Sequence, residues 1–164
     1  GNEQEAIAAG ENVYHNIGCY GCHPGYLTPA GIDEVLVSND KAALGSYRDD
    51  LTYPKIVADS AYTVPKVIPG DTYETEEYGV SILPPDFTWH TIRAGRDDEG
   101  NLSAREIALT VGAGIGGAGM PQWKGSIPDE DIWAIGYYVK HLIETYKDSP
   151  AARAQLMSEL RAND

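Results

Sequence analysis

Cys19-Tyr20-Gly21-Cys22-His23 spells C-x-x-C-H. Two thiols one turn apart can add across the two vinyl groups of a haem as thioethers, and the imidazole that follows is placed to reach the iron as proximal ligand. A bare C-x-x-C also allows a redox dithiol or half of a zinc site. The zinc reading lacks a second Cys or His pair nearby, and the dithiol reading lacks a βαβ setting. Both cysteines of the chain lie in the motif, so covalent attachment leaves no free thiol.

At 164 residues, 42 % of them hydrophobic, the chain has the size of one domain with a real core. No apolar run approaches the ~20 residues that span a bilayer. Gly1-Asn2-Glu3-Gln4-Glu5 has neither a basic start nor an apolar stretch and is not a signal peptide. Thioether haem attachment points to maturation outside the cytoplasm, so the expectation is a periplasmic chain with its leader removed. The formal charge of −13 makes nucleic acid and anionic membranes poor partners. A redox protein with a basic docking patch suits it better.

Working outward from the motif, Ile7, Gly10, Val13, Tyr14 and Ile17 recur at helical steps and predict a helix over 3–17 that runs into the motif and stops at Pro24-Gly25. Residues from about 31 to 83 are largely irregular and carry five of the eleven tyrosines (Tyr47, Tyr53, Tyr62, Tyr73, Tyr78). A short hairpin is possible there. Thr63 to Ile68 has the make-up of an edge strand ending in a Pro69-Gly70 turn, and Asp71 to Glu77 that of a solvated loop. Asp86 to Ala94 predicts a short helix closed at Gly95, and Arg96 to Asn101 a turn. Ser103-Ala104-Arg105-Glu106 has the form of a capping box opening a helix to about Gly112. Ser126-Ile127-Pro128-Asp129-Glu130 starts another, whose stripe is Ile132, Ile135, Gly136, Val139, Leu142 and Ile143. A last helix covers about 149–161. Gly112, Gly114 and Gly117 match G-x-G-x-x-G, but a helix precedes them and Met-Pro follows, so the dinucleotide reading fails.

A six-coordinate haem needs a ligand opposite His23. Met120 sits in a glycine-preceded loop, and Pro121 excludes the α conformation there, so the segment is extended. Met157 reads as core filler. His15 is too near the motif to cross to the other face, His141 reads as exposed, and His90 is the rival. Trp89, Trp123, Arg93 and Arg96 are candidate neighbours for haem propionates.

Together, Gly10-x-x-Val13-Tyr14 before the motif, Gly119-Met120-Pro121-x-Trp123, and Ile127-Pro128-x-x-Asp131-Ile132-Trp133 with Tyr138-Val139 resemble the class I monohaem c-type cytochromes. Pro84-Pro85-Asp86-Phe87-Thr88 and Arg93-Ala94-Gly95 are similar to bacterial periplasmic members. The resemblance covers about 3–30 and 84–146. It implies an all-α fold of helices around one haem c, attached at Cys19 and Cys22 and ligated by His23 and Met120. It also implies a single domain over 1–164, with the insert and a C-terminal extension helix. A Pro, rather than the family's frequent Gly, follows His23. A proline carbonyl is expected to orient that imidazole, with Pro24 and Pro29 as candidates. The first and fourth helices are expected to cross closely at Gly10 and Gly136, flanked by Tyr14 and Tyr138. The implied function is single-electron transfer, by a carrier rather than an enzyme. The alternatives are a cytochrome subunit fixed in a larger oxidoreductase, and a haem enzyme or gas sensor with a labile sixth ligand.

Overall fold

Helix α1 spans Glu3–Asn16. Asn2 and Glu5 close a reciprocal capping box, the Asn2 side chain accepting from the Glu5 N–H at 2.9 Å and the Glu5 carboxylate accepting from the Asn2 N–H at 3.1 Å. The helix ends before the Cys motif, because Gly18 at φ 85° turns the chain into the left-handed region. The motif is therefore a separate 3-10 turn, Cys19–Gly21, and Pro24-Gly25 play no part in stopping α1. The computed structural model describes residues 2–42, 73–75, 80–82, 84–90, 92–116 and 120–161. Within them the chain is mostly helical. The one strand pair is antiparallel β1 (Tyr73–Thr75) with β2 (Val80–Ile82), so the middle of the expected acidic loop is a strand. The expected edge strand at 63–68 and its turn lie outside the described residues, as do Tyr47, Tyr53, Tyr62 and Tyr78.

Four further helices complete the described fold: α2 (Pro29–Ser38), α3 (Ala104–Ala113), α4 (Asp129–Tyr146) and α5 (Pro150–Arg161). Most of α2 lies in the stretch expected to be irregular. Thr28 caps it, Pro29 occupies its first turn, and Ile32 and Leu36 are its buried residues. Ser103 accepts from the Glu106 N–H at 3.4 Å, giving α3 one half of the expected capping box, while Glu106 pairs with Arg105. α4 starts at Asp129 behind Pro128 with no side-chain cap, so Ser126 is not its cap. Asp129, Glu130 and Asp131 nonetheless place acids at the positive end of its dipole.

α4 is the central helix, and glycine shows which neighbour lies on which side. A Cβ on Gly10 would fall 2.1 Å from the Ala134 carbonyl oxygen and 2.7 Å from the Tyr138 Cβ. α1 therefore crosses α4 at Gly10, with Tyr14 edge-on to Tyr138 at 5.5 Å. Gly136 does not share that crossing. A Cβ there would fall 2.4 Å from the Ala104 carbonyl oxygen of α3. Residues 134 and 136 are about 200° apart around a helix, so they cannot face one neighbour. Val13, Tyr14, Ile107, Val111, Ile135, Val139 and Leu142 fill the core between the three helices, and Met157 and Leu160 add α5 to it. Met157 is core filler, as expected.

No described helix is long and apolar enough to cross a membrane.

Candidate functional site

In the Cys19–Gly21 turn the Cys19 carbonyl accepts from both the Cys22 N–H (3.1 Å) and the His23 N–H (2.9 Å). That folds the two thiols and the imidazole into consecutive corners of one tight loop. Neither cysteine is in a disulfide, and both are half-buried. Burial pushes the Cys19 thiol up to about 12, and neighbouring Cys22 adds to the shift. A redox dithiol needs a depressed thiol pKa, so this environment speaks against that reading. Among the described residues no group of three or more His, Cys, Asp or Glu converges on a point where an ion would sit.

The His23 ring is held from two sides by one segment. Its Nδ1 lies 3.1 Å from the Pro85 carbonyl oxygen, and Phe87 stacks on it at 4.8 Å with the planes 24° apart. A carbonyl only accepts, so Nδ1 carries the proton. Burial lowers the His23 pKa while the carbonyl bond opposes it. The result is a neutral imidazole whose Nε2 lone pair has no partner among the described residues. Sequence analysis offered Pro24 and Pro29 as the orienting proline, and neither does this. The Pro24 carbonyl accepts from the Tyr14 hydroxyl at 2.8 Å, and Pro29 opens α2.

Residues 84–90 are not the expected helix. Asp86 is 2 % exposed, and its Oδ1 takes the Thr88 N–H (2.8 Å) and the Thr88 hydroxyl (2.7 Å). Its backbone carbonyl takes the N–H groups of Trp89 and His90. The Asp86 side chain and carbonyl together close this turn. The Tyr26 hydroxyl anchors this turn to the motif, donating to Asp86 Oδ1 at 3.2 Å and accepting the Phe87 N–H at 2.8 Å. Asp86 Oδ2 is buried with no hydrogen-bond partner among the described residues, and burial raises the pKa of this carboxyl.

Met120 is half-buried and packs on the core cluster that Cys19 and Tyr20 also border. Its loop is stitched to the end of α3. The Ile115 N–H donates to the Met120 carbonyl (3.1 Å) and the Lys124 N–H to the Gly112 carbonyl (3.0 Å). Gly114, at φ 70°, lets the loop pass where a Cβ would lie 2.8 Å from the backbone of Pro121 and Gln122. Met120 is extended and bridged to Ile115, as Pro121 dictates.

Of the other histidines, His15 has both ring nitrogens engaged. His15 is fully buried, with Nδ1–H donating to the Glu11 carbonyl (2.8 Å) and Nε2 accepting the Tyr26 N–H (3.3 Å). His90 Nδ1 lies 3.2 Å from the Asp86 backbone N–H. His141, half-buried rather than exposed, has Nδ1 3.3 Å from the Thr145 hydroxyl. Of the expected propionate neighbours, Arg96 donates to the Gly100 carbonyl, Trp89 lies under the Arg153 guanidinium, Arg93 is exposed and Trp123 is half-buried.

These observations suit a haem better than a single ion. An ion needs its donors to converge, whereas thioether sulfurs bond to the porphyrin edge and only the imidazole goes to the metal. A histidine whose second nitrogen is fixed by a carbonyl has the arrangement that metal-ligating histidines use. Tyr26, Pro85, Asp86 and Arg153 were not singled out by sequence analysis. The run Pro84 to Thr88 was noticed, without a role. The chain matches no protein-family model, no curated protein and no solved structure with which it was compared.

Proposed function

We propose that this chain is an electron-transfer protein of the class I c-type cytochrome kind. Cys19 and Cys22 would hold one haem c through thioethers, and His23 and Met120 would ligate its iron. The observation that carries the reading is His23: it follows C-x-x-C directly, its Nδ1–H is bound to the Pro85 carbonyl, and its Nε2 has no partner among the described residues. Bound haem supplies a one-electron ferric/ferrous couple. The residues do the rest. The Pro85 carbonyl fixes the imidazole tautomer and raises its basicity, and Phe87 restrains the ring. A thioether ligand and an apolar surround favour the ferrous state. With both His23 and Met120 as ligands, the iron would have no position for a substrate, which would suit a carrier.

The acidic chain, at −13, selects a redox partner with a basic patch, met by electrostatic steering that salt weakens. Covalent haem attachment would put maturation outside the cytoplasm, and we read the chain as periplasmic. Co-purification with a partner at high salt would favour a fixed subunit over a shuttle.

A near-infrared sulfur-to-iron charge-transfer band in the oxidised protein is the test. We expect it in the parent and expect Met120→Ala to lose it entirely. A band that survives the substitution removes Met120 as ligand. Rapid carbon monoxide binding by the reduced parent would point to an open-site haem enzyme or sensor.

A further inference from the structure

We propose that Arg153, on α5, is a positioning residue for the His23 ligand, acting with Tyr26 as a two-sided brace on the turn that carries Pro85 and Phe87. The proposal rests on the haem reading above and goes beyond it, because it gives the C-terminal helix a part in setting the redox couple.

The geometry runs through named contacts. Arg153 Nη1 lies 2.7 Å from the Lys147 carbonyl, 3.3 Å from the Tyr146 carbonyl and 3.4 Å from the Thr88 carbonyl. Its guanidinium carbon sits 3.9 Å over the Trp89 ring. One side chain thus caps the C-terminal end of α4 and clamps residues 88 and 89 to it. Tyr26 grips the same turn from the motif side through Asp86 Oδ1 and the Phe87 N–H. Between the two grips the turn is internally fixed, with the Trp89 and His90 N–H groups both on the Asp86 carbonyl. It moves as a unit. Pro85 is the next residue back and Phe87 is inside it, so a tilt of the turn lengthens the His23 hydrogen bond and displaces the stacked ring together. A planar guanidinium is needed for simultaneous stacking and carbonyl binding, and an ammonium does not replace it.

Weakening the Pro85 bond makes the imidazole a poorer donor, destabilises ferric iron and raises the potential. Two charge-conserving variants test this. Tyr26→Phe is expected to shift the ferric/ferrous equilibrium toward ferrous by up to about tenfold, which is about 59 mV for one electron. Arg153→Lys is expected to shift it in the same direction by less. Arg153→Ala supplies a check on sign, since loss of a nearby positive charge alone would lower the potential. Arg105→Ala, on an exposed arginine of α3, leaves the potential unchanged.

The nitrogen resonance of His23 Nδ1 is read in the same samples and does not depend on colour. Colourless parent protein with a hydrogen-bonded Nδ1 signal that Arg153→Lys weakens would sink the haem reading and keep the brace. Coloured variants with parental potentials and an unchanged Nδ1 signal would sink the brace alone, even if their melting temperatures fall.

Discussion

Gly10→Leu is expected to cost at least about 3 kcal/mol, near the upper end for overpacking a core, out of the roughly 5–15 kcal/mol that holds a domain of this kind together. The size follows from what the new side chain meets. Its first carbon would lie 2.1 Å from the Ala134 carbonyl oxygen, 2.6 Å from the carbonyl carbon and 2.7 Å from the Tyr138 Cβ. All three atoms belong to the frame of α4 and have no rotamer to escape into. The helices must part, and parting them opens the Tyr14–Tyr138 edge contact and the packing of Val13. Urea denaturation should show a midpoint lower by about 1.5 M at a slope near 2 kcal/mol/M, with the slope itself unchanged. Gly116→Ala is the control, because a Cβ there meets nothing within 4 Å. A Gly10→Leu protein with the parental midpoint would remove the basis for a close crossing of α1 and α4.

The helices that could be read from the sequence are those whose burial repeats with the helical period. Ile132, Ile135, Val139, Leu142 and Ile143 mark one stripe of α4, and all are buried. α2 was missed because Gly31, Val35 and Val37 dilute its propensity, although Thr28-Pro29 carried a start signal. What holds it is the burial of Ile32 and Leu36, which is tertiary. The false helix at Asp86 has the opposite cause. Composition there permits a helix, and Asp86 binds the Thr88 amide as a helix cap would, but the chain makes only a turn over 87–89. Gly10 was legible as a contact glycine, while its partner was not, because sequence spacing gives no rotational phase between two helices. The C-x-x-C-H motif stands out in the sequence, but the 3-10 turn that separates it from α1 does not. The hydrogen bond that orients the motif's histidine joins residues 23 and 85, and no local pattern encodes a pairing of that range.

The second large effect is an acid-side loss of stability that originates in His15. In the folded protein this imidazole has no exposure, and burial lowers its pKa to about 4 against an ordinary 6.5. The geometry explains why it stays neutral. Nδ1–H already donates to the Glu11 carbonyl, and Nε2 faces the Tyr26 N–H. A proton added at Nε2 would set a donor against a donor in a dry site. Between pH 6.5 and 4 the unfolded chain therefore binds a proton that the folded chain refuses, so stability falls as pH falls and the loss is complete near pH 4. The span from 6.5 to about 4, at 1.36 kcal/mol per unit, makes the loss about 3 kcal/mol. Glu11 and Asp86 work in the other direction: burial raises both carboxyl pKa values, so acid relieves an unfavourable buried charge. The measurement must therefore be a difference against His15→Gln, whose amide can donate to Glu11 and accept from Tyr26 without titrating. Parent minus variant stability should be flat above pH 7 and drop by about 3 kcal/mol on the way to pH 4. Parallel profiles for the two proteins across that window would mean that His15 is charged inside the fold, and that the hydrogen bonds assigned to its ring are wrong.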